Sequence, residues 1–135
     1  MIGVVVVTHG QLAIELLNAA ETIVGDLPRF TAVSIGWHED VQDARDEIAQ
    51  AIGRVAGEHG TLLLTDMFGG TPANLGITFL DAGKVEVVTG VNLPMLIKLA
   101  SMTDGADLTE AARALREHGR NAIWVASDLL RGEKA

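Results

Sequence analysis

Two short stretches hold residue types that can do chemistry. Residues 4–10, VVVVTHG, run four β-branched apolar residues into Thr8, His9 and Gly10. An imidazole therefore stands where a buried strand should end. Residues 66–74, DMFGGTPAN, follow a second apolar run over 61–65; Asp66 opens them, and Gly69 and Gly70 precede Thr71 and Pro72. A carboxylate that accepts one ring N–H of a histidine fixes its tautomer and leaves the other nitrogen's lone pair pointing outward. Such an imidazole is an oriented nucleophile. Paired glycines let backbone come close to a ligand. Thr71 before Pro72 suits a helix N-cap followed by the first helical position. The free N–H groups and dipole of that helix would favour an anion. A nucleophilic imidazole beside an anion cradle points to phosphoryl transfer through a phosphohistidine.

Each part also has a plainer reading. A histidine at a strand end is more often a hydrogen-bonded surface residue, Asp66 could cap a turn, and Gly69-Gly70 could be a tight connection. Only their meeting at one point of the fold favours chemistry. The glycine pair is not a P-loop, because no Gly-Lys-Ser/Thr ending follows, and it is not a GxGxxG fingerprint. His38, His59 and His118 are expected on solvent-facing turns or helix ends. With His9 they show no metal-binding spacing such as HExxH. Ser34, Ser101 and Ser127 lack the GxSxG context of a hydrolase nucleophile. Trp37 and Trp124 are expected in packing, although Trp37 could flank the site. Met67, Phe68, Met95 and Leu96 form either an apolar rim or core.

The elements that must position these residues alternate regularly. Strands are predicted over residues 2–7, 30–35, 61–65, 85–89 and 121–126. Apolar periodicity predicts helices from Leu12 to Val24 and through Val41, Ala44, Ile48, Ile52 and Val55. Further helices are expected from Pro72 to about Leu80, after Pro94, and from the Asp107/Glu110 capping-box pair to Gly119. This order argues for an open, doubly wound α/β sheet, mainly parallel, with helices on both faces. Ligands gather at the carboxyl ends of such strands, where the strand order reverses. In the order 2-1-3-4 that reversal lies between the first and third strands, which end at His9 and Asp66.

The totals narrow the setting. The 135 residues suit one domain, and the absence of cysteine excludes disulfides and thiolate chemistry. A net charge of -8, with aromatics at 4% and no tyrosine, disfavours nucleic-acid binding. An acidic surface would favour a basic protein partner, although many soluble proteins are acidic for solubility alone. No signal peptide is evident, and no apolar run approaches the roughly 18 residues of a membrane span. A cytoplasmic protein is the expectation.

VVVVTHG, DMFGGTPAN and GVNLPML (residues 90–96) together resemble the IIA component of the mannose-type sugar phosphotransferase system (PTS), in order and in spacing. The resemblance runs from Met1 to about Ala126. The domain is expected over residues 1–130, with a polar tail over 131–135. The resemblance implies that a small histidine-containing phosphocarrier protein donates a phosphoryl group to His9, with no cofactor. Asp66 would hold Nδ1, so that Nε2 takes the phosphoryl. The Thr71 hydroxyl would contact the phosphoryl oxygens, beside the Gly69–Gly70 backbone. A IIB component would receive the group on its way to the sugar. The implied fold is a sheet of order 2-1-3-4 with a fifth, antiparallel strand exchanged in a homodimer, here Asn121–Ala126. No IIB domain follows in this sequence, so a separate IIB would be needed if sugar is transported. Relatives that regulate within incomplete systems, or serve dihydroxyacetone phosphorylation, are alternatives. A small-molecule-binding domain without a covalent step is another.

Overall fold

The computed structural model describes residues 2–37, 39–102 and 107–132. Strands β1 (Gly3–His9), β2 (Phe30–Ile35), β3 (Thr61–Thr65) and β4 (Val85–Thr89) alternate with helices α1 (Leu12–Val24), α2 (Val41–Val55), α3 (Gly70–Ile77) and α4 (Leu93–Ser101). Helices α5 (Leu108–Asn121) and α6 (Ala126–Leu130) close the chain. The sheet order is β2-β1-β3-β4 and every neighbouring pair is parallel. This is the doubly wound sheet expected from the alternation.

The sheet is buried on both faces, which explains why its two central strands are almost uniformly apolar. Val4, Val6, Leu62 and Leu64 pack on one side with α1, α4 and α5. Val5, Val7, Leu63 and Val33 pack on the other with Ala44, Ile48 and Ala51 of α2. The approach of α2 is close enough to require glycine at the start of β1. A Cβ on Gly3 would lie 2.1 Å from the Val55 carbonyl oxygen.

Three local expectations are corrected. Thr71 does not cap the third helix. The hydrogen-bonded helix begins at Gly70, and its N-cap, Gly69, supplies no side-chain cap bond. Gly69 and Gly70 take φ of 85° and 81°, which turns the chain into the helix earlier than Pro72 alone would signal. That helix also stops at Ile77, not Leu80: the Thr78 hydroxyl donates to the Leu75 carbonyl at 2.6 Å, and the chain turns. Gly119 does not terminate α5, which runs on to Asn121. It is a packing glycine, since a Cβ there would meet Met95 at 2.7 Å where α5 crosses α4.

Asn121–Ala126 forms no strand within the single chain. Asn121 completes α5, Ala126 begins α6, and the described residues hold one four-stranded sheet. Ile123, Trp124 and Val125 consequently stand exposed between the two helices. No helix among the described residues is long and apolar enough to cross a membrane.

Candidate functional site

The site lies at the carboxyl ends of β1 and β3, where the strand order reverses. Thr8, fully buried, ends the interior of β1, and its hydroxyl accepts the Ala13 N–H at 2.7 Å. It thereby caps α1, whose own N-cap residue Gln11 supplies no side-chain bond. Gly10, at φ 55°, makes the sharp turn between them, and its N–H donates to the Ile35 carbonyl at 2.9 Å. His9 is thus clamped between a buried strand and a capped helix, with its side chain 51% exposed.

Asp66 comes from the next strand. The Thr65 carbonyl accepts the N–H groups of both Gly90 and Val91 at 2.9 Å, which anchors the end of β3. This explains part of the GVNLPML motif: its first residues tie down the chain just before Asp66. Its Asn92 caps α4 by accepting the Met95 N–H at 3.1 Å.

One carboxylate oxygen of Asp66 serves His9 twice. Oδ2 accepts the His9 backbone N–H at 3.1 Å and lies 2.8 Å from the ring Nδ1. The ring nitrogen is the donor in that contact, because an ionised carboxylate only accepts. The Asp66 side chain is 13% exposed, and its Oδ1 is buried with no partner among the described residues. The charge of this carboxylate is therefore directed mainly at His9.

The other ring nitrogen faces the glycine loop. A Cβ on Gly70 would lie 3.2 Å from Nε2 and 3.1 Å from Cε1. Gly70 keeps that approach open. A cavity of about 360 Å³ lies here, lined by His9, Gly10, Ile35, Trp37, Gly70 and Thr71. With no capping side chain on α3, the first N–H groups of that helix are available to an anion. His9, Gly70 and Thr71 line this cavity together. Gly69, one residue earlier, is the N-cap of α3 and is not part of the lining.

The remaining candidates divide. Met95 and Leu96 are core, whereas Met67 and Phe68 are exposed beside the site. Neither tryptophan is a packing residue in the single chain: Trp37 is 99% exposed and Trp124 43%. Trp37 does flank the site. His118 is exposed on the last turn of α5, and His59 is partly buried on the turn before β3, at the opposite end of the sheet from His9. His38 lies outside the described residues. No group of three or more His, Asp or Glu among the described residues is placed to hold a metal ion.

The His9–Asp66 pair and the glycine loop that opens α3 thus meet at the switch point of an open parallel α/β sheet. Residues 3–116 match the family EIIA-man, described as the PTS system fructose IIA component. The chain belongs to this mannose-type IIA family of the phosphotransferase system, whose members are phosphotransfer components. It is 30% identical to the PTS system fructose-specific EIIA component of Bacillus subtilis, over 96% of this chain and 90% of the relative. It is 35% identical to the PTS system sorbose-specific EIIA component of Lacticaseibacillus casei, over 72% of this chain and 70% of the relative. The chain spans only 38% of the PTS system mannose-specific EIIAB component of Escherichia coli, at 28% identity over 90% of this chain. Among solved structures, the mannose/sorbose specific IIA subunit from Enterococcus faecalis superposes with a TM-score of 0.81 at 28% identity, covering 91% of this chain and 92% of that one.

Proposed function

We propose that this protein is a phosphocarrier in which His9 relays a phosphoryl group. The observation that carries the reading is the arrangement of the His9 ring: Nδ1 on Asp66 at 2.8 Å, Nε2 toward Gly70 and the cavity. The donor is the histidine-containing phosphocarrier protein, and the acceptor is a IIB component that serves sugar uptake. The lone pair of Nε2 attacks the phosphorus of the donor's phosphohistidine. The new N–P bond forms as the donor's N–P bond breaks, and that electron pair returns to the donor ring. His9 keeps its proton on Nδ1, so no proton is gained or lost overall. Asp66 balances positive charge that develops on the His9 ring during attack. Thr71 and the backbone of Gly69 and Gly70 meet the phosphoryl oxygens. The protein supplies positioning and electrostatics, because the group arrives already activated.

The relatives named for fructose, sorbose and mannose give no single sugar, which fits a carrier that never touches it. The same reading accounts for the unpaired segment over 121–126. The outer edge of β4 borders a groove of about 330 Å³ lined by Glu86, Val88, Thr109 and Arg113. In a homodimer, the segment of one copy would add there as an antiparallel strand. The relay is tested by incubation with the phosphocarrier, its kinase and phosphoenolpyruvate, followed by intact mass. One phosphoryl group on wild type and none on His9→Ala is expected. Near-stoichiometric label on His9→Ala would overturn it.

A further inference from the structure

The phosphoryl relay leaves Trp37 without a role, and the fold gives it none. Its indole is 99% exposed, yet it lines the cavity that His9, Gly70 and Thr71 share. An aromatic side chain of this size is normally buried to a large extent. The strand order β2-β1-β3 puts Trp37, which follows β2, on one side of His9. Met67 and Phe68, which follow β3, are exposed on the other side. The nucleophile therefore sits between apolar side chains that nothing among the described residues covers.

Charge distinguishes the two sides. Just beyond Trp37, the first turns of α2 expose Asp40, Asp43, Asp46 and Glu47. The one cation of that stretch, Arg45, is turned away: its guanidinium donates to the Thr78 hydroxyl at 2.5 Å and lies 4.8 Å from the centre of the Phe79 ring. The lip beside Trp37 is thus acidic. A protein that carries a phosphohistidine needs basic groups around the phosphoryl charge. For transfer, its phosphorus must come within about 3–3.5 Å of Nε2. Such a partner has to cover this end of the sheet and meet Trp37.

We propose that Trp37 is the specificity residue for the phosphoryl donor, seating its indole in an apolar socket whose basic rim pairs with Asp43, Asp46 and Glu47. The inference rests on the phosphocarrier reading. An exposed aromatic on a docking face, flanked by complementary charge, has the character of an interface hot spot.

The test is steady-state transfer from the phosphorylated donor at varied donor concentration and ionic strength. Trp37→Ala should raise KM about tenfold or more, the usual scale of a hot-spot aromatic, while kcat at saturating donor changes less than about twofold. Trp37→Phe should recover part of the loss. Replacing Asp43, Asp46 and Glu47 together by their amides should flatten the salt dependence; Asp40 is kept because it caps α2. Phosphoramidate, a small donor that needs no docking, labels wild type in parallel. An unchanged KM for Trp37→Ala overturns the inference, as does a loss confined to kcat. It is also overturned if the defect appears only in onward transfer, or if Trp37→Ala changes the oligomeric state, which would make the occupant the acceptor or a second copy. Wild type labelled by neither phosphoramidate nor the donor removes the phosphocarrier reading itself. Normal wild-type transfer with an indifferent Trp37 removes only the docking role.

Discussion

Asp66 grips His9 through a single oxygen, taking the backbone N–H at 3.1 Å and the ring Nδ1 at 2.8 Å. The double contact joins β3 to the end of β1 and fixes the ring relative to its own backbone. It also concentrates a negative charge on the nitrogen remote from the cavity. Hydrogen bonding and charge are separable here. In Asp66→Asn the amide oxygen can still accept both bonds, with the amide nitrogen where Oδ1 now lies unpartnered. What is lost is the charge that balances the ring during attack.

Asp66→Asn should therefore fold with little change in melting temperature and transfer phosphoryl groups about 10²-fold or more slowly, the usual effect of removing a preorganised electrostatic group. Rapid-quench transfer from the phosphorylated carrier measures the rate. Equal rates for wild type and variant would make Asp66 a turn cap.

Gly70→Ala should damage transfer more than stability. Alanine at φ 81° costs about 1–2 kcal/mol in backbone strain, and its methyl would stand 3.2 Å from Nε2. Gly69 provides the comparison: its φ is 85°, but a Cβ there meets nothing within 4 Å. The two alanine variants should lose similar stability by thermal unfolding, with Gly70→Ala transferring markedly more slowly. Matching transfer rates would show that crowding at Nε2 is unimportant.

The pair at the centre of the site was legible in the sequence because it depends on topology. Once the alternation of elements suggests the order 2-1-3-4, the ends of the first and third strands must be neighbours, and His9 and Asp66 are what stands there. Local chemistry was less decisive. Thr71-Pro72 has the form of a helix start, but two successive glycines at positive φ offered the chain an earlier one. Gly119 has the form of a helix stop, but its reason is the closeness of Met95 on another helix, which no local pattern contains. Trp37 has the form of a packing residue, because tryptophan usually packs. Its exposure depends on where the chain goes after β2. The run over 121–126 has strand character, but a strand needs an edge to pair with, and among the described residues it is paired with none.

That unpaired run leads to a prediction about assembly. Ile123, Trp124 and Val125 are too apolar for a segment left open to solvent. Sedimentation at micromolar concentration should give twice the chain mass of 14.2 kDa. Trp124→Asp should shift the population toward monomer by placing a charge in the joined sheet. A wild-type monomer under those conditions would exclude strand exchange.

Glu39 supplies a pH-dependent test of the acidic lip beside the site. Burial raises its pKa above 4.5, and the charges of Glu47 and Asp43 raise it further. Its Oε2 is buried without a partner among the described residues. Below pH 4.5 the carboxyl is protonated in both folded and unfolded chains, so its ionisation costs the fold nothing. As pH rises from there toward the raised folded value, the unfolded chain loses the proton first. The folded state then binds more protons, and stability falls with pH across that window. Above it the full penalty remains. Glu39→Gln removes the ionisation while keeping the shape, so it should raise the melting temperature at neutral pH. The difference from wild type should shrink as pH is lowered through the window, and thermal unfolding of both proteins from pH 4 to 8 reads it directly. A gain that is the same at every pH would point to altered packing. A loss at neutral pH would mean that the Glu39 carboxylate has a stabilising partner, contrary to the like-charged surroundings that α2 presents.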